Sequence, residues 1–296
     1  MFQNLLEILF FKFFFYFIKI LPLSFALAIA KILALLNFYF LKIRKEIVIK
    51  QLKIAFPEKS KNEIKQIAKN TFINFSKNAI EFCKFSSKKL SKKEKYVTIS
   101  GFENIDSALS KGKGLILVMG HFGNWEFASQ IIGLKTKKLY AVAQTQRNPF
   151  FNKFVNKIRT QNKIHLIPKK HAFRGIVKAL RQNNIVGMLG DQNAGKRGIF
   201  VNFFGRPAST YSGIAKTALK LGCPIVFATC LRKSNGKMQA QIGKPIFLKQ
   251  TKNLDLDVKK YTQELTSLLE NEIRKFPSQW FWLHRRWKTK NDEKNH

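Results

Sequence analysis

Read as a pattern of apolar and polar positions, the chain divides near residue 95. Residues 5 to 43 are almost wholly apolar (LLEILFFKFFFYFIKILPLSFALAIAKILALLNFYFLKI), broken by Lys12, Lys19, Lys31 and Pro22. No stretch there reaches the ~20 uninterrupted apolar residues of a simple spanning helix. Lys12 and Lys19 are seven apart and share one helical face; Lys31 and Lys42 are eleven apart and share another. The pattern predicts two amphipathic, Phe- and Leu-rich helices that meet near Pro22, with lysines snorkelling to headgroups. It is too long for a signal peptide and lacks a small-residue cleavage site. Arg44, Lys45, Lys50 and Lys53 follow, and basic residues beside an apolar segment favour the cytoplasmic side. Residues 1–45 therefore read as a membrane anchor, either interfacial or one tilted span. A core helix of a soluble protein is the competing reading, disfavoured by so many Phe in a row.

Phe56-Pro57-Glu58 ends this pattern. Ser60 with Glu63 three residues on predicts a capping box, and residues 61 to 84 a helix with Ile64, Ile67, Ala68, Phe72 and Phe75 on its apolar face. Residues 86 to 95 (SSKKLSKKEK) read as a charged loop closing a helical segment over 46–95. Beyond it, short apolar runs at Val97 to Ser100, Gly114 to Met119, Leu139 to Ala143, Ile164 to Ile167, Ile185 to Leu189 and Pro224 to Thr229 predict strands. Helical stretches near 124–134, 149–160, 171–182 and 210–221 lie between them. Such alternation predicts an α/β domain over 96–290, a mainly parallel central sheet flanked by helices, followed by a polar tail at 291–296. Sites in such sheets form in loops at the carboxyl ends of strands.

Composition adds three constraints. An apolar fraction of 45% over 296 residues allows a sizeable core and excludes wholesale disorder. The 54 Lys and Arg against 17 Asp and Glu give a net charge of +37, which points to an anionic partner: nucleic acid, an anionic membrane or acidic protein. The bland alternative is a Lys-rich genome, since Lys, Asn, Ile and Phe are all abundant. The 29 Phe against 4 Trp and 6 Tyr, many of them N-terminal, point to lipid rather than to a nucleic-acid groove. Cys83, Cys223 and Cys230 are scattered, which argues against a disulfide framework and fits a reducing compartment. The five His show no metal-ligand spacing, so no metal is expected.

The candidate chemistry lies where strand GLILVMG runs into His121-Phe122-Gly123-Asn124-Trp125-Glu126. Gly120 and Gly123 permit a sharp strand-to-helix turn, and Asn124 is a plausible N-cap with Glu126 in the first turn. On a continuous helix His121 and Glu126 would face about 140° apart, but across a turn they can touch. A carboxylate on one imidazole nitrogen fixes the tautomer and raises the basicity of the other, giving a general base for an alcohol. A lone His beside a sheet is, on its own, more often a satisfied structural residue.

This G-H-F-G-N-W-E segment resembles the His-x4-Asp/Glu motif of the glycerolipid acyltransferase superfamily and, more narrowly, the lipid A biosynthesis (lauroyl/myristoyl, late) acyltransferases. Further ordered segments carry the resemblance: Gly190-Asp191-Gln192, Phe203-Phe204-Gly205-Arg206-Pro207-Ala208-Ser209-Thr210, Pro277-Ser278-Gln279-Trp280-Phe281-Trp282-Leu283-His284-Arg285-Arg286-Trp287, and Leu52 to Glu58 (LKIAFPE). One departure stands before the last: Lys50-Gln51 replaces the Arg-Asn often found in the family.

The resemblance implies a glycerol-3-phosphate acyltransferase-like fold and transfer of a fatty acyl chain from acyl carrier protein to a hydroxyl of a Kdo-linked lipid A precursor. It places the enzyme at the inner membrane, on its cytoplasmic face, with no cofactor beyond the thioester donor; acyl-coenzyme A is an alternative donor. In this reading His121 is the general base and Glu126 orients it, while backbone N–H groups of Gly123 and Asn124 hold the oxyanion. No acyl-cysteine is required. Arg159 would bind a phosphate or carboxylate of the acceptor, or be a solvated helix end. Asp191 would pair with Arg159 or orient the site, and Arg206 and Ser209 would bind phosphate, or be plain loop residues.

Trp280, Trp282, His284, Arg285, Arg286 and Trp287 fit an interfacial belt, with a core-packing strand as the bland alternative and His284 structural. Phe122, Trp125, Phe127 and the Phe150 to Phe154 helix are candidates for the donor-chain groove. The Lys135-Thr136-Lys137-Lys138 and Lys169-Lys170 loops are candidates for docking an acidic carrier protein. The same His and Glu would serve a glycerophospholipid or glycolipid-mannoside acyltransferase. A basic nucleic-acid binder leaves the apolar N-terminus and the His/Glu turn unexplained, so no nucleic-acid partner is expected.

Overall fold

The computed structural model describes residues 2–86, 90–170 and 172–290. The polar tail expected at 291–296 lies outside the described residues, as does part of the 86–95 loop.

Two helices, α1 (Phe2–Ile20) and α2 (Leu23–Leu36), meet at the predicted Pro22 break, and a π-helical turn extends α2 over Asn37–Leu41. The combined span Leu23–Leu41 is the one helix among the described residues long and apolar enough to cross a membrane. Its small residues Ala26, Ala30 and Ala34 are buried, while Phe25, Ile32, Leu33 and Leu36 are exposed. On α1, Phe10, Phe13, Tyr16 and Ile20 likewise face outward. The two helices thus carry a run of outward-facing large apolar side chains. Helix α3 (Lys45–Ala55) follows, then α4 (Lys61–Phe85), whose N-terminus carries the expected Ser60/Glu63 capping box. Residues 90–94 form a short helix, α5 (Leu90–Glu94), rather than a loop. Lys93 explains the difference: it is fully buried and donates to Gln130 Oε1 at 2.9 Å and to Asn162 Oδ1, which pins this turn to the domain.

The remainder is β1 (Val97–Ser100), α6 (Glu103–Leu109), β2 (Leu115–Met119), α7 (Trp125–Thr136), β3 (Leu139–Ala143), α8 (Pro149–Gln161), β4 (Ile164–Pro168), α9 (Ala172–Arg181), β5 (Ile185–Leu189), β6 (Ile199–Phe203), β7 (Arg206–Thr210), α10 (Gly213–Leu221), β8 (Ile225–Arg232), β9 (Met238–Ile242) and α11 (Leu254–Lys275). Seven strands form one sheet in the order β1-β9-β8-β2-β5-β3-β4. Five of them, β8 to β4 along the sheet, run parallel; β9 is antiparallel to β8 and β1 is parallel to β9. The mainly parallel α/β fold is therefore as expected. Buried residues of β2 and β5 (Leu115, Leu117 and Ile185 toward one layer, Ile116, Val118, Val186 and Met188 toward the other) divide the helices into two faces. β6 and β7 form a separate hairpin packed on α11.

Candidate active site

His121 stands just past the carboxyl end of β2, in the middle of the sheet, as expected. Its carboxylate partner differs from the expected one. Strands β2 and β5 are parallel neighbours in the register Met119↔Leu189. Two residues further along each strand exit, His121 and Asp191 therefore meet. Asp191 Oδ1 lies 2.8 Å from His121 Nδ1, and its Oδ2 accepts from the His121 backbone N–H at 2.9 Å. Trp280 Nε1 adds a third bond to Oδ2 at 2.8 Å. Glu126 instead turns to Arg159, which donates to it through Nε at 3.3 Å and also through Nη2. The reason is the helix start: Asn124 caps α7 by accepting from the Phe127 N–H at 3.1 Å, and Glu126 then points toward the end of α8. Of the two roles expected for Asp191, pairing with Arg159 is not the one observed; it sits on His121, as the site-orienting alternative had it.

The electrostatics follow from this geometry. Burial raises the Asp191 pKa, but the facing His121 and the hydrogen bonds from His121 and Trp280 outweigh it and hold the carboxyl at about 2. Burial disfavours protonated His121, yet Asp191 first and Glu126 second reverse the balance, so its pKa is raised above the ordinary value. Lys169, after β4, opposes that shift, which places its charge at the same mouth. With Nδ1–H donated to Asp191, Nε2 of the neutral ring carries the lone pair and is the basic atom. Trp125 stands edge-on to the imidazole, ring centroids 5.0 Å apart.

The turn holding His121 is fixed from several sides. Gly123 has φ +60°, and a Cβ there would lie 2.0 Å from the Cys230 carbonyl oxygen, so only glycine fits without displacement. The Gly123 N–H donates to Gln279 O at 2.9 Å and the Asn124 N–H to Cys230 O at 2.7 Å. Both N–H groups are thereby used, which corrects their expected role as oxyanion donors: the β8 edge and the C-terminal segment occupy them. The Gly123 carbonyl accepts from Asn78 Nδ2 at 2.6 Å, and Asn124 Nδ2 donates to Glu81 at 2.7 Å. Glu81 is in turn paired with Arg232, both almost fully buried.

The C-terminal block completes this frame. Phe281 N–H donates to His121 O at 3.0 Å, and Phe122 pairs with Trp280 as a β-bridge. Trp280, Trp282 and Arg286 are 1%, 0% and 1% exposed, so they form core and not an interfacial belt. Arg286 donates to Ser209 O and Thr210 Oγ1, both at 2.5 Å, and burial lowers its pKa to about 10 while nearby Asp191 opposes that fall. Gln51, at the departure from the family pattern, donates to the Trp282 and His284 carbonyls at 2.6 and 2.7 Å and accepts from the Arg286 N–H at 2.7 Å. An amide suffices for that work. His284 Nε2 accepts from the Asn193 N–H at 3.0 Å, a structural role as expected.

Two expected phosphate ligands fall elsewhere. Ser209 is fully buried and its hydroxyl donates to Gly195 O at 2.6 Å, which leaves it no access to an acceptor. Arg206 is exposed at the tip of the β6–β7 hairpin, in a groove with α3 that includes neither His121 nor Asp191. Among the groove candidates for a donor chain, Phe122 and Phe127 are core, Phe151 and Phe154 pack edge-on against Phe11 of α1, and Trp125 faces the imidazole. The three cysteines are free and buried, with thiol pKa values raised by burial to about 11 or 12, which suits packing and not nucleophilic attack. No cluster of three metal-ligating side chains occurs among the described residues.

A carboxylate-backed histidine at the strand ends of a mainly parallel α/β sheet, with an arginine–glutamate pair nearby, has the chemistry of a general base. The family model of the bacterial lipid A biosynthesis acyltransferases matches residues 4–289, and the chain belongs to that family of O-acyltransferases. It is 25% identical over 254 residues to a lipid A biosynthesis palmitoleoyltransferase of Escherichia coli, covering 85% of this chain and 81% of the relative. It is 26% identical over 253 residues, at the same coverages, to a lipid A biosynthesis lauroyltransferase of Escherichia coli. A phosphatidylinositol mannoside acyltransferase of Mycobacterium tuberculosis is 25% identical over 196 residues, 64% of this chain and 59% of that protein.

Proposed function

We propose that the protein transfers a fatty acyl chain from the thioester of acyl carrier protein to a hydroxyl of an anionic saccharolipid, a Kdo-linked lipid A precursor, on the cytoplasmic face of the inner membrane. The observation that carries this reading is the Asp191–His121 pair, basic at Nε2, set beside an exposed apolar helix pair in a chain of this family.

Nε2 of His121 takes the proton from the acceptor hydroxyl as its oxygen forms a bond to the thioester carbonyl carbon. The tetrahedral intermediate collapses by breaking the C–S bond, and Nε2–H returns the proton to the leaving thiolate. Asp191 keeps the imidazole in the right tautomer and stabilises the transient imidazolium without itself taking a proton. Glu126 holds Arg159 at the mouth, and the guanidinium edge not used by Glu126 meets a phosphate or carboxylate of the acceptor. Lys169 adds positive charge for the donor's phosphopantetheine or its acidic carrier. The apolar faces of α1 and α2 keep the enzyme at the lipid surface where its acceptor resides.

The test is an acyl-transfer assay in detergent with lauroyl-, myristoyl- or palmitoyl-carrier protein, or the coenzyme A thioesters, and a tetra-acylated Kdo-lipid A acceptor, read by mass spectrometry. A gain of one acyl chain on that acceptor is expected. Acylation of lysophospholipid or of a mannosylated phosphoinositide instead would move the protein to the second reading, which the mannoside acyltransferase similarity favours.

A further inference from the structure

The groove that holds Arg206 has no part in the chemistry above. It has a volume of about 640 Å³ and is lined by Glu46, Ile49, Lys50, Lys53, Ile54 and Pro57 from the α3 side, facing Phe204, Gly205 and Arg206. Phe204 and Gly205 form the two-residue turn of the β6–β7 hairpin, with φ +52° and +72°. Positive φ is uncommon for a bulky residue and persists only where the surroundings impose it. Here they do: the Phe204 N–H donates to Glu270 Oε2 at 2.7 Å, and its ring is packed between Phe56, Trp282 and the Arg274 guanidinium. The hairpin tip is thus pinned beside α3, so Arg206 lines the same groove as Lys50 and Lys53. Those three cations are exposed and form no ion pair among the described residues, and Glu46 is the one acid facing them. The groove floor is apolar, Ile49, Ile54 and the packed Phe204 ring.

The place of the groove in the chain names its occupant. Helix α3 begins directly after an exposed apolar run, with Tyr39, Phe40, Leu41 and Ile43 all outward. Lys50 and Lys53 are seven and ten residues past Ile43, on a helix rising about 1.5 Å per residue, so they lie roughly 10–15 Å from the apolar edge. A headgroup layer extends about 5–8 Å past the hydrocarbon core, so the groove stands at its outer edge, where three cations without ion pairs among the described residues complement the charge of the phosphates. We propose that the groove binds the phosphodiester headgroup of an anionic glycerophospholipid: the phosphate on Arg206, Lys50 and Lys53, the headgroup's polyol carbons against the isoleucines. The site rests on the membrane attachment proposed above, and it would fix the rotation of the catalytic domain against the bilayer.

The experiment is sedimentation of the full chain with vesicles of pure phosphatidylcholine or of phosphatidylcholine with phosphatidylglycerol. Each cation near an anionic surface contributes about 1 kcal/mol, so neutralising Lys50, Lys53 or Arg206 to Gln is expected to weaken partition onto anionic vesicles about fivefold apiece. Partition onto neutral vesicles should stay as it is. The control is Lys111→Gln/Lys113→Gln/Lys220→Gln, three lysines away from the groove, which should lose less than the groove triple. Equal losses for the two triples, or none for the groove triple, would overturn the site in favour of diffuse charge. Inorganic phosphate at millimolar concentration occupying the groove of the wild type, with partition onto anionic vesicles unchanged by it, would assign the groove to free phosphate and overturn the headgroup site. A wild-type chain that binds neither vesicle type would remove the membrane attachment itself, whereas equal binding to both would remove the headgroup site alone.

Discussion

Replacing Asp191 by Asn separates the structure from the motif-based expectation most sharply. The substitution is nearly isosteric, keeps one acceptor oxygen for Trp280 or the His121 N–H, and removes the charge facing Nδ1. The Asp191 carboxyl is held at about 2 against an ordinary 3.8, which at about 1.4 kcal/mol per pKa unit makes the ionised form worth on the order of 2 kcal/mol to the fold. Because the folded pKa is the lower one, that contribution is present above pH 3.8 and fades as pH falls toward 2. Asp191→Asn should therefore lower stability at neutral pH by about that amount and flatten the acid limb of its pH dependence, read by denaturant titration from pH 2 to 7. The catalytic effect is larger. The Asn amide can turn an N–H toward Nδ1, which favours the wrong tautomer and strips Nε2 of its lone pair, and loss of positioned general-base catalysis costs about 10²–10⁴ in kcat. The acid limb of the rate profile should also move to lower pH, since Asp191 is the main charge raising the His121 pKa. Asp191→Asn with wild-type kcat, alongside Glu126→Gln with none, would refute the assignment of the orienting carboxylate.

Glu126→Gln itself should raise KM for the acceptor by about fivefold, the effect of losing a partly exposed ion pair worth ~1 kcal/mol, with a smaller fall in kcat; steady-state kinetics with varied acceptor checks this. Gly123→Ala should unfold at markedly lower temperature and denaturant, by more than ~2 kcal/mol, since it adds a steric clash with Cys230 to a left-handed backbone. Arg232→Met leaves Glu81 buried without its partner and should cost about 3–5 kcal/mol, much of it recovered in the Glu81→Leu/Arg232→Met double variant. Lys93 is buried with its pKa lowered by burial from 10.5 to about 7. The unfolded chain binds that proton up to pH 10.5 and the folded one does not, so stability should rise with pH between 7 and 10.5 by up to about 1.4 kcal/mol per unit. Lys93→Met should abolish that rise, which chemical denaturation at several pH values would show.

The parts of the molecule legible in the sequence are those set by local rules. The Ser60/Glu63 capping box, the Pro22 break and strands β1, β3 and β5 have the expected residues at their bounds, because capping, proline geometry and short apolar runs act within a few positions. His121 at a strand end and Asn124 as a cap belong to the same class. What escaped was non-local. The sequence leaves Asp191 either pairing with Arg159 or orienting the site; that it orients the site on His121 itself follows from β5 crossing back to insert between β2 and β3, a strand order no window of sequence displays. The Trp-rich C-terminus read as interfacial because alternating aromatics and cations look alike at a membrane and in a core; its burial comes from bridging to the His121 turn. Helix α11 and the β6–β7 hairpin passed without notice, although the Phe203-Phe204-Gly205-Arg206 turn carried a signal in its glycine. The oxyanion reading failed because a helix-start N–H counts as free only until the neighbouring strand is placed, and β8 takes the one at Asn124.

The central claim is that Nε2 of His121 passes the acceptor's proton to the departing thiolate in a direct transfer. The most direct test is a single turnover of a labelled acyl-carrier protein with the saccharolipid acceptor, following acyl mass on acceptor and on enzyme together. The account predicts one acyl chain on the acceptor, none on the enzyme at any time, and a rate lower by about 10²–10⁴ in His121→Ala. Transfer at the wild-type rate in His121→Ala, or an acylated enzyme that forms and decays on the reaction's timescale, would contradict it.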